Sequence, residues 1–390
     1  MSYPLVSIKD FCTTSSGGTP SREKPEYYTG SIPWIKSGDL KENIVTLATE
    51  FLSEEAIQNS SAKIVKKGAI LLAMYGATVG RMAILGIDAA TNQAVCSIVP
   101  DESKAFPKYV YYALLDKVPE FLRNAVGGAQ PNINQGIIKE TKIPLPPLAE
   151  QKRIAAILDK ADAIRRKRQQ AIQLADDFLR SVFLDMFGDP MTNPKGWEVK
   201  LLGAIATKIG SGSTPKGGKE SYVSEGISLI RSLNIHDDRF LHKDLAFLTN
   251  EQAKQLSNVV VQANDVLLNI TGASVCRCTL VDNEVLPARV NQHVCIIRVP
   301  SLSSSYLMHL IIAQSYKKYL LNIATANGAT REALTKEQIE NLPIPIPPLE
   351  VQHKFSAIKD SITKLKKYYA NFHADESFNS LSQKAFSGQL

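Results

Sequence analysis

The sequence Ile143-Pro-Leu-Pro-Pro-Leu148 returns near the C-terminus as Ile344-Pro-Ile-Pro-Pro-Leu349, and each copy opens a long stretch without glycine or proline. Proline suits the first turn of a helix but not its interior, so each copy marks the start of a helix. We predict these helices over 147–188 and 347–390. About 40 residues at 1.5 Å per residue make a helix near 60 Å long.

Four further blocks of sequence occur twice in the same order. They are Gly18-Thr-Pro20 with Ser213-Thr-Pro215, Ile32 to Ser37 with Ile227 to Ser232, Leu71 to Arg81 with Leu267 to Arg277, and Asn92 to Cys96 with Asn291 to Cys295. The offset between copies drifts only from 195 to 201 residues. A period of this length indicates a duplicated domain-sized unit, because solenoid modules repeat every 20 to 45 residues.

The sequence that precedes each predicted helix favours a compact domain. Short β-like runs such as Ala69–Ala73 and Val266–Ile270 alternate with Gly, Ser and Thr turns, and one helix-like stretch follows in each repeat, at Lys108–Arg123 and Tyr306–Ile323. We therefore predict an α+β fold with duplicated domains over 1–146 and 189–346.

Apolar residues three and four apart predict a coiled-coil seam on both long helices. The seam positions are Ile154, Ile157, Ala161 and Ile164 in the first helix and Phe355, Ile358, Ile362 and Leu365 in the second. Most helical stability comes from packing an apolar face, so we expect the helices to pair. Antiparallel pairing would give an internal pseudo-two-fold axis, whereas two amphipathic helices lying on separate domains would not.

Composition permits several functions and demonstrates none. The chain has 390 residues, a net charge of +7 and a pI near 9.0, yet no segment is a basic block. No stretch is apolar enough to span a membrane, and the N-terminus lacks a signal peptide pattern, so we expect a cytoplasmic protein. We expect Cys12, Cys96, Cys276, Cys278 and Cys295 to be buried free thiols.

A search for catalytic motifs favours a chain without chemistry of its own. The segment Ser213–Lys219 lacks the leading glycine of a phosphate-binding loop, and Glu220 stands where Ser or Thr would bind magnesium. His236, Asp237, Asp238 and His242 could suggest a metal site, but the first repeat has no matching ligands. We therefore predict no catalytic residue and no metal site.

Several of these blocks together resemble a known family. They include Ser16-Gly-Gly-Thr-Pro20, the Gly-Ala-Thr-Val-Gly and Gly-Ala-Ser-Val-Cys loops, the helix entries with Gln151 and Gln352, and the ending Ala385-Phe-Ser-Gly-Gln-Leu390. In this order, across essentially the whole chain, they resemble the specificity subunit of a type I restriction–modification system. The second repeat departs at Cys276, where the first has Gly80.

The resemblance implies two target recognition domains that each read half of an interrupted DNA site. It also implies that the helices set the spacing and dock two methyltransferase subunits, and that restriction subunits join the assembly. No cofactor is expected in this chain, since S-adenosylmethionine belongs to the methyltransferase partner, and ATP and magnesium belong to the restriction partner. The spacing of two linked domains suits half-sites about 34 to 36 Å apart on duplex DNA.

Candidates for contacts with double-stranded DNA are polar residues on turns at matching places in both repeats, since such loops commonly carry binding residues. The first set is Thr19, Lys36, Ser37, Asp39, Tyr75, Thr78, Arg81, Gln130 and Asn132, and the second is Thr214, Lys216, Arg231, Ser232, Asn234, Thr271, Ser274, Arg277, Thr330 and Arg331. Each residue could instead stabilise its turn. Gly76 and Gly272 are interpreted as backbone requirements, either for a positive φ or for close approach to a phosphate.

Two alternatives remain open from the sequence. The basic run Arg165–Arg168, which aligns with Lys364–Lys367, is interpreted as a solvated helix face, a DNA contact or a contact with an acidic partner. The whole chain could also be a coiled-coil scaffold that binds proteins rather than DNA. Such a scaffold would bind without the strong salt dependence that phosphate contacts produce.

Overall fold

The computed structural model describes residues 3–41, 43–123, 132–215, 217–325, 332–370 and 374–390. It divides into two compact units. Unit 1 comprises Met1–Gln169 with Phe372–Leu390, and unit 2 comprises Gln170–Asn371. Both units mix helices and sheets, as the predicted α+β class requires. Each unit takes one part of the helix Leu148–Phe187 and one part of the C-terminal helical segment.

Unit 1 contains two sheets and a short strand pair. Its strands are β1 Leu5–Ser7, β2 Cys12–Ser16, β3 Ile32–Ile35, β4 Ile44–Val45, β5 Glu50–Leu52, β6 Ile64–Val65, β7 Ile70–Ala73, β8 Met82–Leu85, β9 Ala89–Thr91, β10 Val95–Pro100 and β11 Lys142–Pro144. Its helices are α1 Glu54–Gln58, α2 Pro107–Arg123, α3 Gln135–Glu140 and the first part of α4 Leu148–Phe187. The sheet orders are β2-β10-β7-β8-β4 and β5-β3-β9-β6, with β1 paired to β11.

Unit 2 repeats this arrangement. Its strands are β12 Glu198–Leu201, β13 Lys208–Ser211, β14 Ile227–Ile230, β15 Ile235–His236, β16 Arg239–Phe240, β17 Ala246–Leu248, β18 Val260–Val261, β19 Val266–Asn269, β20 Cys278–Leu280, β21 Ala288–Val290, β22 Val294–Arg298 and β23 Pro343–Ile346. Its helices are α5 Leu202–Ile205, α6 Asn250–Gln255, α7 Ser304–Ile312, α8 Gln314–Thr325, α9 Lys336–Glu340 and α10 Leu349–Ala370; α11 Ala374–Ser387 belongs to unit 1. The orders β13-β22-β19-β20 and β17-β14-β21-β18 match those of unit 1, except that the first sheet has four strands instead of five; β15 pairs with β16, and β12 pairs with β23 as β1 does with β11.

The central strand of each domain is buried on both faces. In β7, Ile70 and Leu72 face the helices, while Leu71 and Ala73 pack among the residues of the second sheet. In β19 the residues alternate in the same way: Val266 and Leu268 belong to the core that includes the helices, and Leu267 packs among the residues of the second sheet. A continuous apolar run is typical of a strand covered on both sides, which is why these residues form the middle of each fold.

One helix-like stretch of the sequence is interrupted in the structure. Residues Tyr306–Ile323, predicted as a single helix, belong to α7 and α8, and Ala313 between them is extended with φ −56° and ψ 137°. Helix α7 is apolar and almost wholly buried, whereas α8 buries only one face through Tyr316, Leu320 and Ala324. The bend allows both helices to contact the same core.

In unit 1 the C-terminal helix runs antiparallel to the first part of α4. Arg165 lies over the ring of Phe378 at 5.4 Å, and Arg153 donates to the main-chain oxygen of Leu390 at 2.8 Å. Positions that rise along α11 therefore meet positions that fall along α4. Phe378 also packs 6.0 Å from the Tyr112 ring, so this helix completes the core of the domain.

In unit 2 the second part of α4 pairs with α10 in the same antiparallel sense. Lys366 forms an ion pair with Asp176 at 2.5 Å, and the Phe355 ring lies 5.5 Å from Phe183. Phe183 also stacks on Tyr306 of α7 at 5.9 Å. The helix pair and the rest of unit 2 thus share one hydrophobic core.

The predicted coiled-coil seam is right in part, but the helix face that it assigns as buried is shifted. Ile154, Phe355 and Ile362 are buried, and Ile157, Ala161 and Ile358 are half-buried, but Ile164 is 51% exposed and Leu365 is 46% exposed. The buried face of α4 instead passes through Leu158, Asp162, Leu179, Phe183 and Phe187. The error arises because each helix packs against its own domain as well as against its partner helix, which shifts the buried face.

A buried glutamine fixes the entry of each long helix to its domain. The Gln151 side-chain oxygen accepts from the Phe106 amide at 2.8 Å, and its nitrogen donates to the carbonyl oxygens of Lys104 and Pro146 at 3.0 and 2.8 Å. Gln352 repeats this with the Ser303 amide and the Pro347 carbonyl at 2.8 and 2.7 Å. A buried amide that lost these partners would be costly, so the direction of each helix is tied to its domain.

All five cysteines are buried and unpaired, as predicted. Burial raises the pKa of the thiols of Cys12, Cys96, Cys276 and Cys295 to about 12 in each case. These thiols therefore stay protonated near neutral pH and act as small apolar groups. Among the described residues, none of the helices has the length and apolar character needed to cross a bilayer.

The aromatic core of unit 2 yields a stability prediction. Phe183→Ala should lower the free energy of unfolding by about 3 to 5 kcal/mol, because it removes a ring that is only 3% exposed. Phe178→Ala on the same helix is the matched control, since that ring is 58% exposed, and should change it by less than about 0.5 kcal/mol. Urea unfolding followed by circular dichroism measures both; equal losses would contradict this packing.

A buried histidine predicts a dependence of stability on pH. Burial lowers the pKa of His309 to about 4, against the weaker opposing influence of Asp238. The unfolded chain, with a histidine pKa near 6.5, binds the proton more readily, so stability should fall as pH drops from about 6.5 to 4, by up to about 3 kcal/mol. In urea unfolding across this range, His309→Phe should flatten the decline, and His353→Gln at an exposed position should not. An unchanged slope in His309→Phe would refute the assignment.

Candidate nucleic-acid interface

Five separate segments of unit 1 meet at one end of its strands. Backbone hydrogen bonds join Gly18 to Thr91 (2.9 Å), Met74 to Ala94 (2.8 Å) and Ile133 to Met74 (2.7 Å). The amide of Asn92 donates to the carbonyl of Ile35 at 3.0 Å. We call the residues 17–20, 35–39, 74–81, 91–94 and 132–133 loop cluster 1. The cluster unites the repeated blocks that are distant in sequence.

Unit 2 contains the same cluster with the same kind of backbone connections. Gly212 donates to Asn291 (3.1 Å), Asn291 to Ile230 (3.1 Å) and Ile270 to His293 (3.0 Å). Leu334 donates to Ile270 at 2.8 Å, as Ile133 does to Met74. We call the residues 212–215, 230–234, 270–277, 291–293 and 332–334 loop cluster 2. Duplication has therefore preserved a surface, and not only a core.

Most described candidates of the first repeat lie in loop cluster 1. Thr19, Arg81 and Asn132 are exposed, and Ser37, Tyr75 and Thr78 are half-buried. Tyr75 forms an isolated backbone bridge with Asn132, which ties two candidates together. Burial raises the pKa of the Tyr75 hydroxyl, so this group remains a hydrogen-bond donor at neutral pH. Gln130 lies outside the described residues.

Lys36 and Asp39 are engaged within the protein. Asp39 accepts from the Lys36 amide at 2.9 Å and from the Thr49 hydroxyl at 3.2 Å, which makes it a turn-stabilising residue. The Lys36 ammonium pairs with Glu50, which also binds Arg22 at 2.7 Å. The hydrogen bond from Lys36, together with that from Arg22, lowers the pKa of Glu50, so one carboxylate offsets two cations here.

The structure corrects the prediction that Asn234 contacts DNA. It is fully buried, its side-chain oxygen accepts from the Arg231 amide at 3.0 Å, and its nitrogen donates to the carbonyls of Leu241 and Lys243 at 2.9 and 3.2 Å. All of its polar atoms are satisfied inside the domain, so it holds the loop and does not face a ligand. Asp39 occupies the equivalent place and plays the same part.

The other described candidates of the second repeat remain in loop cluster 2. Thr214, Ser232 and Arg277 are half-buried at its surface, and Ser274 accepts from Asn269 at 3.1 Å. Arg231 donates to the carbonyl of Asp244 and lies 5.4 Å from the Tyr222 ring. Lys216, Thr330 and Arg331 lie outside the described residues.

Glycines shape both clusters in two different ways. Gly76 and Gly272 have φ of 81° and 75°, and a Cβ atom at either would meet open space, so they serve the positive φ and not a close approach. Gly17 and Gly212 are different, because a Cβ there would lie 2.0 Å from the Thr91 carbonyl oxygen and 1.7 Å from that of Val290. Only glycine allows the two chain segments to cross at these points.

The departure at Cys276 has a structural cost. Gly80 has φ 82°, and the equivalent Cys276 adopts φ 66° although it carries a side chain. A non-glycine residue in this region is strained, by about 1 kcal/mol or more. The Cys276 thiol is fully buried, so core contacts offset part of that strain.

The basic run on the first helix is partly neutralised. Arg165 and Arg166 pair with the buried carboxylate of Asp162 at 2.7 and 2.9 Å, and the Asn43 amide approaches the same carboxylate at 3.5 Å. In the aligned run, Lys366 pairs with Asp176. The pairs of Arg165 and Arg166 lie within α4, whereas Lys366 links α10 to α4 and lies 3.8 Å from Asp238 of the domain, so only Lys366 departs from the interpretation as a solvated face.

The histidine and aspartate residues that could suggest a metal site have other partners. Asp237 pairs with Lys317, and Asp238 lies 3.5 Å from Lys359 and 3.8 Å from Lys366. His242 instead lies 3.0 Å from Asp282, with Glu284 nearby, in an exposed group. Surface groups of this composition are common without a bound ion, and we assign no metal to this one.

Sequence reasoning missed two exposed side chains in the clusters. The hydroxyl of Thr19 donates to the Gln93 carboxamide, and that of Thr214 donates to Gln292. Both glutamines lie in the repeated Asn-Gln block, which was visible in the sequence. The block could have drawn attention to them, but its pattern does not say which side chain points outward.

Comparison with known proteins places these features in a family. The model of the type I restriction modification DNA specificity domain matches residues 3–174 and again 194–369. The specificity subunit of the type I restriction enzyme MjaIX of Methanocaldococcus jannaschii is 26% identical over 379 residues, which covers 91% of this chain and 85% of that protein. The EcoR124I/EcoR124II specificity subunit of Escherichia coli is 32% identical over 154 residues, or 38% of each chain.

Solved structures share the fold. The S subunit of a type I restriction-modification system from M. genitalium aligns with a TM-score of 0.59 at 14% identity, over 99% of this chain and 96% of that one. A chain from a structure of an assembled type I R-M system aligns with a TM-score of 0.51 at 18% identity, over 100% and 98% of the two chains. The duplicated architecture predicted from the repeats is therefore confirmed as the fold of this class.

The close crossing at Gly212 makes a specific prediction. Gly212→Ala should lower the free energy of unfolding by about 1 to 3 kcal/mol, since the new methyl group would collide with the Val290 carbonyl. Gly210→Ala, two residues earlier, is the control, because its Cβ would meet only the Lys208 side chain at 3.5 Å. Thermal and urea unfolding measure the difference; similar values for both variants would show that the crossing is not tight.

Proposed function

The chain belongs to the family of type I restriction modification DNA specificity domains, and from this premise we propose that it is the DNA-reading specificity subunit of a type I restriction–modification complex. Each loop cluster reads one half of a bipartite site in double-stranded DNA. The observation that carries the proposal is the duplication of one loop surface with different side chains. A common scaffold that presents different contacts suits two different half-sites.

The differences between the clusters have the chemistry of base recognition. Lys36 is replaced by Arg231, and Tyr75 by Thr271, at the same places on the scaffold. Arginine and lysine can bind guanine, while hydroxyl groups bind either bases or phosphates. Arg81 and Arg277, present in both clusters, supply a cation in each half. Which bases are selected depends on how each cluster docks in the groove.

The long helices supply a surface for protein partners. Helix α4 exposes large apolar side chains, and within unit 2 these include Leu174, Phe178 and Leu184. Apolar side chains exposed on an otherwise polar helix favour a protein contact. We propose that two methyltransferase subunits dock on the helices and that restriction subunits join through them. S-adenosylmethionine would then be held by the methyltransferase, and ATP and magnesium by the restriction subunit.

The chain would have no catalytic role in this assembly. In loop cluster 1, Asp39 is engaged in a turn and Lys36 in an ion pair. The buried cysteine thiols stay protonated, because burial raises the pKa of each. Methylation would depend on the partner, and this chain would decide where it occurs.

Exchange of residues 1–146 for those of a relative tests the division into two readers. The complex with the methyltransferase should then methylate a site changed in one half only, while the other half and the spacing persist. The exchange preserves the hydrogen bonds of Gln151, because its partners at Lys104 and Phe106 are backbone atoms that any donor sequence supplies. The donor should retain Tyr109 and Tyr112, which pack against α11.

The methylated sites are mapped by sequencing in cells that carry each variant. The control is a recoded gene that encodes the unchanged residues 1–146. A change in both halves would contradict independent reading. Methylation by the partner alone at unchanged sites would exclude a specificity role. Binding that does not weaken as salt rises would favour the protein scaffold instead.

A further inference from the structure

One side-chain pair is the same in both loop clusters. The Thr19 hydroxyl donates to the Gln93 carboxamide across 74 residues of sequence, and the Thr214 hydroxyl donates to Gln292 across 78. Gln93 lies in the turn between β9 and β10, and Gln292 in the equivalent turn between β21 and β22. Both glutamines are exposed. Each pair therefore stands at the surface of its cluster.

The pairing orients the glutamine. The threonine hydroxyl occupies the side-chain oxygen, so the amide nitrogen is the group of each glutamine that can donate to a ligand. In unit 2 this nitrogen also lies 3.2 Å from the Nε2 atom of His293, whereas the first repeat has Ala94 at that place. A carboxamide held at its oxygen presents a donor of fixed direction, which suits an anionic oxygen acceptor.

The backbone beneath each pair is rigidly built. The crossings at Gly17 and Gly212 leave no space for a Cβ atom, and they bring each threonine segment against the turn that carries the glutamine. Gly18 donates to the carbonyl of Thr91 at 2.9 Å, and Gly212 to that of Asn291 at 3.1 Å. The scaffold thus sets the backbone position of each glutamine, and the threonine holds its side-chain oxygen.

The neighbours of the pair differ while the pair does not. Around it the clusters exchange Lys36 for Arg231, Tyr75 for Thr271 and Ala94 for His293. Domains that read different base sequences can share contacts to the one chemical group that every half-site presents in the same geometry, which is the sugar–phosphate backbone. Glutamine and threonine are among the side chains that contact phosphate oxygens.

We propose that Gln93 and Gln292 are equivalent contacts to DNA phosphates, each oriented by its threonine, and that they set the position of each domain on the duplex without selecting bases. This inference rests on the proposed function as a DNA-reading subunit. It divides each cluster into a shared part that positions the domain and a variable part that selects the sequence.

The substitutions Gln93→Glu and Gln292→Glu test the inference in the complete complex with the methyltransferase. Glutamate keeps an oxygen for the threonine hydroxyl but replaces the donating nitrogen by an anionic oxygen. Each variant should weaken binding by about tenfold or more to the cognate duplex and by the same factor to duplexes with one base pair changed. Gln58→Glu and Gln255→Glu are matched controls, with the same charge change at exposed ends of α1 and α6, and should stay within about twofold.

Duplexes with single methylphosphonate groups locate the contact. In the wild-type complex, neutralising one phosphate in a half-site should weaken binding, and Gln93→Glu or Gln292→Glu should abolish that sensitivity in one half-site each. A change of preference at one base position would overturn the inference in favour of a base contact, and unchanged binding would overturn it outright. Absence of any sequence preference in the wild-type complex would instead defeat the proposed function, so the two failures are distinguishable.

Discussion

Each recognition domain depends on the helix pair to complete its hydrophobic core. The Phe183 ring packs against Tyr306 and Phe355 in unit 2, and Phe378 packs on Tyr112 in unit 1. Burial of such rings contributes about 1.5 to 3 kcal/mol each, which the domain alone would forgo. The helices are therefore part of each domain's folding unit. The shared core in turn fixes the strands that carry each loop cluster.

The sequence predicted the long helices and the repeated strands because these depend on local chemistry. Proline at the helix entries and the absence of glycine bound α4 correctly, and the apolar run of β7 identified a central strand. The predicted seam was wrong at Ile164 and Leu365, which are exposed, because the buried face of a helix depends on every element that packs against it. The sequence also did not predict the bend at Ala313, because neither glycine nor proline stands there to end the helix.

The candidate site was predicted at the level of segments more than of side chains. The repeated blocks located both clusters, because duplication preserves loops that must meet. Asn234 was misassigned since a buried turn-stabilising asparagine and an exposed base-reading one occupy the same kind of sequence. Gln93 and Gln292 were missed because each contacts a threonine more than 70 residues away. Long-range contacts of this kind leave no periodic trace in one sequence.

The contacts that fasten each domain to its helices have opposite polarity in the two units. In unit 1 the buried carboxylate is Asp162 on the helix, and Asn43 approaches it from the domain. In unit 2 the carboxylate is Asp238 on the domain, and lysines of α10 approach it. Asp162 is neutralised within its own helix by Arg165 and Arg166, whereas Asp238 is approached from α10 by Lys359 and Lys366. A partly buried carboxylate that lost its cations would be costly, so Lys359 and Lys366 hold α10 against the domain of unit 2 at Asp238.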